Sequence, residues 1–287
     1  MLKSVIISVQ QNIFPTLQHL SDDLKEHGVD TVIVADCNMN KDIAVKSDVS
    51  THDETADKAS LYITDSESAY HALRQQGQYV LPYRHEGNSN TIFAGSLYVI
   101  EQIEEIDYET VDMVYRRLAG LPWEILTTKR CIIRETTVED VDSFYQIYAE
   151  PKITKYMENL YDDRDEEVAY IRNYREKVYS FYGYGMWTVL TKGGTIIGRA
   201  GISWREGFAL PELGFVIGVP WQGQGYAYEV CSAILTYAWQ ELGFTEIQAL
   251  VMKGNDKSES LCRKLGFRYM GEVDIEDAIY SRMIRQE

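Results

Sequence analysis

Cysteine is scarce and scattered. The four thiols, Cys37, Cys131, Cys231 and Cys262, stand far apart and form no C-x-x-C pair, so neither a zinc site nor a disulfide framework is signalled. A reduced, cytoplasmic protein with no metal is the expectation. Long hydrophobic runs are missing as well: no stretch approaches the ~18 apolar residues that a membrane-crossing helix requires. The opening MLKSVIISVQQNIFP carries an apolar core only from Val5 to Val9, too short for a signal peptide, and reads as a first buried strand. Positive charge is in deficit, with 28 Lys and Arg against 44 Asp and Glu and a net charge of −16. Partners that must be met with clustered cations, nucleic acid and anionic membrane surfaces, are therefore disfavoured. All five histidines (His19, His27, His52, His71 and His85) lie in the first half, so a general base in the second half must be something other than imidazole.

Core material is plentiful. Hydrophobic residues make up 45% of 287, enough for two domain cores. The halves differ in charge: residues 1 to 127 hold 20 acidic and 9 basic side chains, and residues 128 to 287 hold 24 and 19. Gly and Pro in Ala119-Gly120-Leu121-Pro122 break a helix over about 110 to 118, which predicts two domains, 1–127 and 128–287.

The first half alternates strand and helix patterns. Strands are predicted at Ser4 to Val9, Thr31 to Ala35, Leu61 to Thr64 and Tyr79 to Tyr83. Helices are predicted at Phe14 to His27, ended near Gly28, and at Ser66 to Gln76, closed by Gly77. That alternation argues for a small parallel sheet with packed helices, an α/β Rossmann-like domain. The polar run from Cys37 to Ala59 is predicted to be a loop. The second half predicts an α+β domain with strands at 131–134, 186–191, 195–204, 212–219, 245–252, 267–273 and 278–284. Helices are expected at 138–149, 164–179, 225–241 and 257–265, the first capped by Thr136 or Thr137 with Glu139 and Asp140 in its first turn.

Between strand 212–219 and helix 225–241 lies PWQGQG, two glycines and two glutamines with no charged side chain. Orphan N–H groups at a helix start, beside glycines that let a ligand approach the backbone, form an anion site without a cationic side chain. The P-loop pattern is absent, and the dinucleotide pattern fails because Tyr228 stands where its last small residue belongs. The stretch Gln222-Gly223-Gln224-Gly225-Tyr226-Ala227 instead resembles the Q/R-x-x-G-x-G/A pyrophosphate loop of the GCN5-related N-acetyltransferase (GNAT) family. IRETTVEDVDSFYQIY resembles that family's opening strand and helix, IIGRAGISW its third strand, and NDKSESLCRKLGF its closing motif. The look is of the RimJ/RimL-like branch, whose members act on protein N-termini or small amines.

The resemblance implies a mixed, splayed central sheet, acetyl-CoA as cofactor and an amine-bearing acceptor of open identity. It implies Glu212 as the base, and backbone groups of Ile217, Gly218 and Val219 on the pantetheine arm, one N–H stabilising the oxyanion. It implies Asn255 and Lys264 on the cofactor, beside the loop residues 222 to 227. Cys262 stands where many members carry a tyrosine that protonates the departing thiolate; it is a candidate acid, but is read first as buried packing. The tyrosines from Tyr145 to Tyr184, with Trp187 and Trp204, either line the acceptor pocket or pack helices on the sheet. LYITDSESAYHALRQQGQYVLPY resembles a haloacid-dehalogenase-like (HAD-like) fold. There Asp36-Cys37-Asn38 lacks the second aspartate of an active phosphatase, which points to a degenerate accessory domain. A noncatalytic CoA-binding protein and, behind it, a HAD-type phosphatase are the rival functions.

Overall fold

The computed structural model describes residues 1–35 and 59–287. The Asp36-Cys37-Asn38 motif and nearly all of the predicted 37–59 loop lie outside the described residues. The chain divides into two compact units, Met1–Leu121 and Pro122–Glu287.

In the first unit, strands β1 (Ser4–Val9), β2 (Asp30–Ala35), β3 (Ser60–Thr64) and β4 (Tyr79–Pro82) pair in the order β2-β1-β3-β4, all parallel. A 3-10 turn at Gln11–Leu17 leads into α1 (Gln18–Glu26); α2 (Glu67–Gln75) and α3 (Tyr108–Leu118) follow. Period-2 alternation explains the two-sided packing. Val5, Ile7, Val9, Leu61, Ile63 and Leu81 meet Leu20 and Leu24 of α1 and Val111 and Val114 of α3. On the other face Tyr62 and Val80 meet Tyr70 and Leu73 of α2. Ser66 caps α2 by accepting from Ala69 N–H at 3.4 Å.

Polar groups following the strands close on one another. Asp65 Oδ2 accepts from Gln10 N–H (3.0 Å) and meets His85 Nε2 at 3.1 Å. His85 Nδ1 accepts from Gly87 N–H (3.1 Å), so Nε2 is the nitrogen that donates to Asp65. Asn88 Nδ2 donates to the carbonyls of Asp65 and Tyr83.

The second unit is built on one eight-stranded sheet. Its strands are β5 (Glu124–Thr127), β6 (Cys131–Arg134), β7 (Met186–Thr191), β8 (Ile196–Ser203), β9 (Glu212–Ile217), β10 (Glu246–Met252), β11 (Arg268–Ile275) and β12 (Ala278–Gln286). Their order is β11-β12-β10-β9-β8-β7-β6-β5, antiparallel everywhere except between β9 and β10. β5 pairs with β6, so the segment 122–127 belongs to this unit, ahead of the expected boundary at 127/128. The longer helices are α4 (Val141–Tyr148), α5 (Arg164–Tyr174), α6 (Tyr226–Gln240) and α7 (Asp256–Lys264), with single helical turns at Pro151–Thr154 and Ser180–Tyr182. α4 follows a 3-10 turn, Val138–Asp140, in which Asp140 accepts from Thr137 N–H at 2.9 Å. The helix predicted to run to residue 179 changes to a π turn at Arg175–Tyr179. Val230, Cys231, Ile234, Leu235 and Ala238 of α6 are buried against the sheet, together with Ile197, Ala200, Ile247 and Ala249. None of the described helices is long and apolar enough to cross a membrane.

Candidate active site

The sheet opens where its one parallel pair lies. β9 and β10 share a single pairing, Glu212 opposite Gln248. Gln248 makes that point a clamp: its N–H donates to Pro211 O and its Nε2 to Leu210 O, both at 2.9 Å. Beyond it no pairing joins the two strands, and a gap runs along β9. Backbone groups alternate sides along a strand, and Pro211 O faces β10, so Phe215 and Ile217 present their N–H groups to the gap. Of the expected trio Ile217, Gly218 and Val219, Ile217 is the one whose N–H faces the gap, while its carbonyl accepts from Gln222 Nε2. Gly218 N–H donates to Ile197 O of β8 (2.8 Å) and its carbonyl accepts from Trp221, so its backbone is held within the sheet and the turn after it. Val219 opens a 3-10 turn, Val219–Trp221, and its carbonyl accepts from Gln222 N–H.

The loop after that turn is shaped by its glycines and tied by its glutamines. Gly223 (φ 73°) and Gly225 (φ 83°) occupy the left-handed region, which costs a residue with a Cβ ~1–2 kcal/mol. Gln222 Nε2 donates to Ile217 O and Gln224 Nε2 to Pro220 O, each at 2.8 Å, fixing the loop against the strand it leaves. The first helical bond of α6 is Glu229 N–H to Gly225 O. The N–H groups of Tyr226, Ala227 and Tyr228 precede it, and no side chain caps them.

A cation does stand here, and it comes from far upstream. Arg130 donates from Nη1 to Gln224 O (3.0 Å) and from Nε to Glu229 Oε2 (2.6 Å), and its guanidinium lies 4.1 Å from the centre of the Tyr226 ring. Glu229 also accepts from Thr128 and from Arg130 N–H. Burial works to raise the Glu229 carboxyl, but these bonds outweigh it and hold it below the usual range. An acid in the first turn of α6 is thereby neutralised, and unpaired N–H donors beside a guanidinium fit a phosphate-bearing ligand. Sequence reasoning missed Arg130, since nothing in TKRCIIR marks a loop partner 94 residues away.

At the other end of β9, Glu212 is buried, with 8% of its surface exposed. Its Oε2 accepts from Arg205 Nε at 2.9 Å. Desolvation raises the carboxyl above its ordinary range, with the Arg205 charge working against that rise. Glu212, at the closed end of the gap, and Ile217 thus stand at the two ends of a single strand, roughly 17 Å apart at strand rise.

Three expected residues stand differently. Cys262 is fully buried in the core beside Leu265 and Phe267, and burial pushes its thiol up to about 12. The structure corrects its assignment as the acid: the thiol packs the core, and a group so reluctant to ionise is a poor proton donor at neutral pH. Asn255 caps α7, its Oδ1 accepting from Ser258 N–H at 3.3 Å. Lys264 is exposed at the far end of α7; the next carbonyl, Leu265 O, accepts from Arg285, which pairs with Ile247 at the start of β10. The loop lies beyond the opposite ends of these strands, so the structure does not bring Lys264 to it. Of the aromatic residues, Tyr179 and Trp187 are core, and Tyr174 accepts from Met186 N–H. Trp204 is exposed and donates to Tyr184.

Residues 130–268 match the family model for an acetyltransferase (GNAT) domain. The uncharacterized N-acetyltransferase YnaD of Bacillus subtilis is 27% identical over 147 residues, covering 51% of this chain and 84% of its own. The [Ribosomal protein uS5]-alanine N-acetyltransferase of Escherichia coli is 28% identical over 165 residues, covering 53% and 82%. Among solved structures, RimL, a ribosomal L7/L12 alpha-N-protein acetyltransferase, superposes with a TM-score of 0.50 at 12% identity, over 58% of this chain and 96% of its own, a likeness of fold. The second unit is a GNAT acetyltransferase domain, and its acetyl donor is acetyl-CoA.

Proposed function

We propose that the second unit acetylates a primary amine, with Glu212 as the base and the loop 222–227 and Arg130 as the holders of the donor's phosphates. The observation that carries this reading is a buried carboxylate at the closed end of the β9–β10 gap, on the strand whose other end enters the phosphate loop. The donor supplies an activated acetyl thioester. A lysine-type amine, with a pKa of ~10.4, is protonated at neutral pH and must lose a proton before it attacks. Glu212 accepts that proton directly or through one water, and its raised affinity for protons suits the task. The bond between amine nitrogen and acetyl carbon forms and the carbon–sulfur bond breaks. The Phe215 N–H, the gap-facing donor nearer to Glu212, is the donor for the oxyanion, a contact that is typically worth ~3 kcal/mol. With Cys262 buried, the departing thiolate takes its proton from solvent, which a thiol pKa of ~8.5 tolerates.

Asn255 Nδ2 and the N–H groups of Tyr226 and Ala227 complete the proposed donor contacts. The acceptor is a primary amine on a small molecule, a lysine or a protein N-terminus, the last favoured by relatives named for ribosomal proteins. The first unit is proposed as a Rossmann-like accessory domain, and no chemistry is assigned to it. Thiol release from acetyl-CoA across an amine panel tests the reading. Glu212→Gln should lose rate while still binding acetyl-CoA; a variant that turned over like wild type would remove Glu212 from the mechanism.

A further inference from the structure

Glu212 has one ion-pair partner among the described residues, and its side chain holds that partner by a single bond, as Glu229 holds the Arg130 side chain, where two other arginines of the unit bind their carboxylates with two. Arg134 grips Asp140 with two parallel bonds, Nη1 to Oδ2 and Nη2 to Oδ1, both at 2.7 Å. Arg164 grips Asp142 the same way through Nε and Nη2. Two-pronged pairing is the stronger and more directional mode. Arg205 instead meets Glu212 through Nε alone. Its side chain is 35% exposed, against 11% for that of Glu212. It sits on the irregular segment 204–211 between β8 and β9, where Phe208 N–H returns to Arg205 O around Gly207 in the left-handed region. A long cation on a turn, held by one bond to a buried carboxylate, can swing its charged head toward water on its flexible stem.

We propose that Arg205 occupies on Glu212 the place of the acceptor's ammonium group, and that a cationic primary amine enters by displacing it. The inference rests on the reading of Glu212 as the base and adds the charge class of the acceptor and the residue that selects it. A neutral or anionic molecule has nothing to exchange for the guanidinium and leaves the carboxylate masked. A cation exchanges one ion pair for another and arrives with its nitrogen on the base. The other charged groups near the pair are few. Glu158 and Tyr280 act on Arg205, and Arg282 is turned aside, donating to Gln248 Oε1 at 3.0 Å and lying 5.8 Å from the centre of the Phe208 ring. Arg205 is thus the one cation paired with Glu212, and its removal should also make that carboxyl easier to protonate.

The test is calorimetric titration of the full chain with n-butylamine at about pH 8, where an alkylamine with a pKa of ~10.4 is a cation, with 1-butanol as the uncharged control. Arg205→Gln should bind n-butylamine severalfold more tightly than wild type, Arg205→Lys should stay near wild type, and Glu212→Gln should bind it no better than the alcohol. Equal or weaker binding to Arg205→Gln, or no preference for the amine over the alcohol, overturns the proposal. A second readout is the acidic limb of kcat/KM. It should move to higher pH in Arg205→Gln and hold its place in Arg205→Lys, whereas an arginine whose charge does not act on Glu212 would lower the rate without moving the limb. The binding result needs no turnover. An active Glu212→Gln would remove Glu212 as the base and leave the exchange of cations to be judged by calorimetry.

Discussion

The two units leave their backbone and polar groups in opposite conditions where strands end. In the first, Asp65, His85, Asn88 and the backbone of Gln10 satisfy one another. In the second, Ile217 faces a gap, and Tyr226, Ala227 and Tyr228 precede the first helical bond without a cap. Buried donors left without partners are costly, ~1–3 kcal/mol each, so folds close them unless a ligand or water takes the place. The closed network reads as support and the open one as a site. Glutamate makes the same contrast. Glu229 is held ionised by Arg130 and Thr128, whereas Glu212 is pushed toward its protonated form.

The largest effect that separates the units is on rate. Glu212→Gln should lower acetyl transfer by ~10²–10⁴-fold, the usual share of a general base, measured as thiol release at saturating acetyl-CoA. Stability should move the other way with pH. A carboxyl whose folded value is raised contributes stability that is fully present below its unfolded value and lost as pH rises through the folded one. The variant should therefore gain on wild type in thermal unfolding as pH rises above the ordinary carboxyl range. Next comes a core lesion in the support unit. Ile7→Ala, at a fully buried position, should cost ~2–5 kcal/mol in denaturant unfolding of that unit, and acetyl transfer per folded molecule should be unchanged. Loss of transfer would show that the units do not work independently.

Acetyl-CoA at a hundred times its dissociation constant should stabilise residues 122–287 by ~2.7 kcal/mol and residues 1–121 not at all, read by thermal unfolding. Stabilisation of the first fragment would place a site where the closed network stands. The smallest effect is at Arg130. Replacement by Ala should weaken acetyl-CoA binding severalfold and flatten its salt dependence, with kcat nearly unchanged. A large fall in kcat would instead mark Arg130 as shaping the loop on which the chemistry depends.

Much of this was legible in residue order. Short, largely apolar runs placed β1 at Ser4–Val9 and β7 at Met186–Thr191, because a strand buried on both faces leaves a nearly continuous mark in sequence. Gly28, Gly77 and Gly243 ended helices where positive φ is needed. β5 was not legible: Ile125 and Leu126 are its only apolar residues, and pairing with β6 rather than pattern makes it a strand. The π turn at 175–179 was hidden for a similar reason, since its residues are ordinary helix formers.

The sequence by itself marked the loop 222–227, because Gly223 and Gly225 can take the left-handed backbone they adopt and a helix behind them starts with unpaired N–H groups. It determined Glu212 as a candidate for the same kind of local reason, a carboxylate beginning the strand that ends in the loop. Only the tertiary structure decided which partners these groups have. It brought Arg130 to the loop across 94 residues, sent Cys262 into the core and Lys264 to the wrong end of its helix, and turned Gly218 toward β8. It laid Arg205 on Glu212. Backbone conformation is fixed by neighbours in the chain, whereas charge pairing and burial are fixed by neighbours in space, and those are set by how the sheet folds.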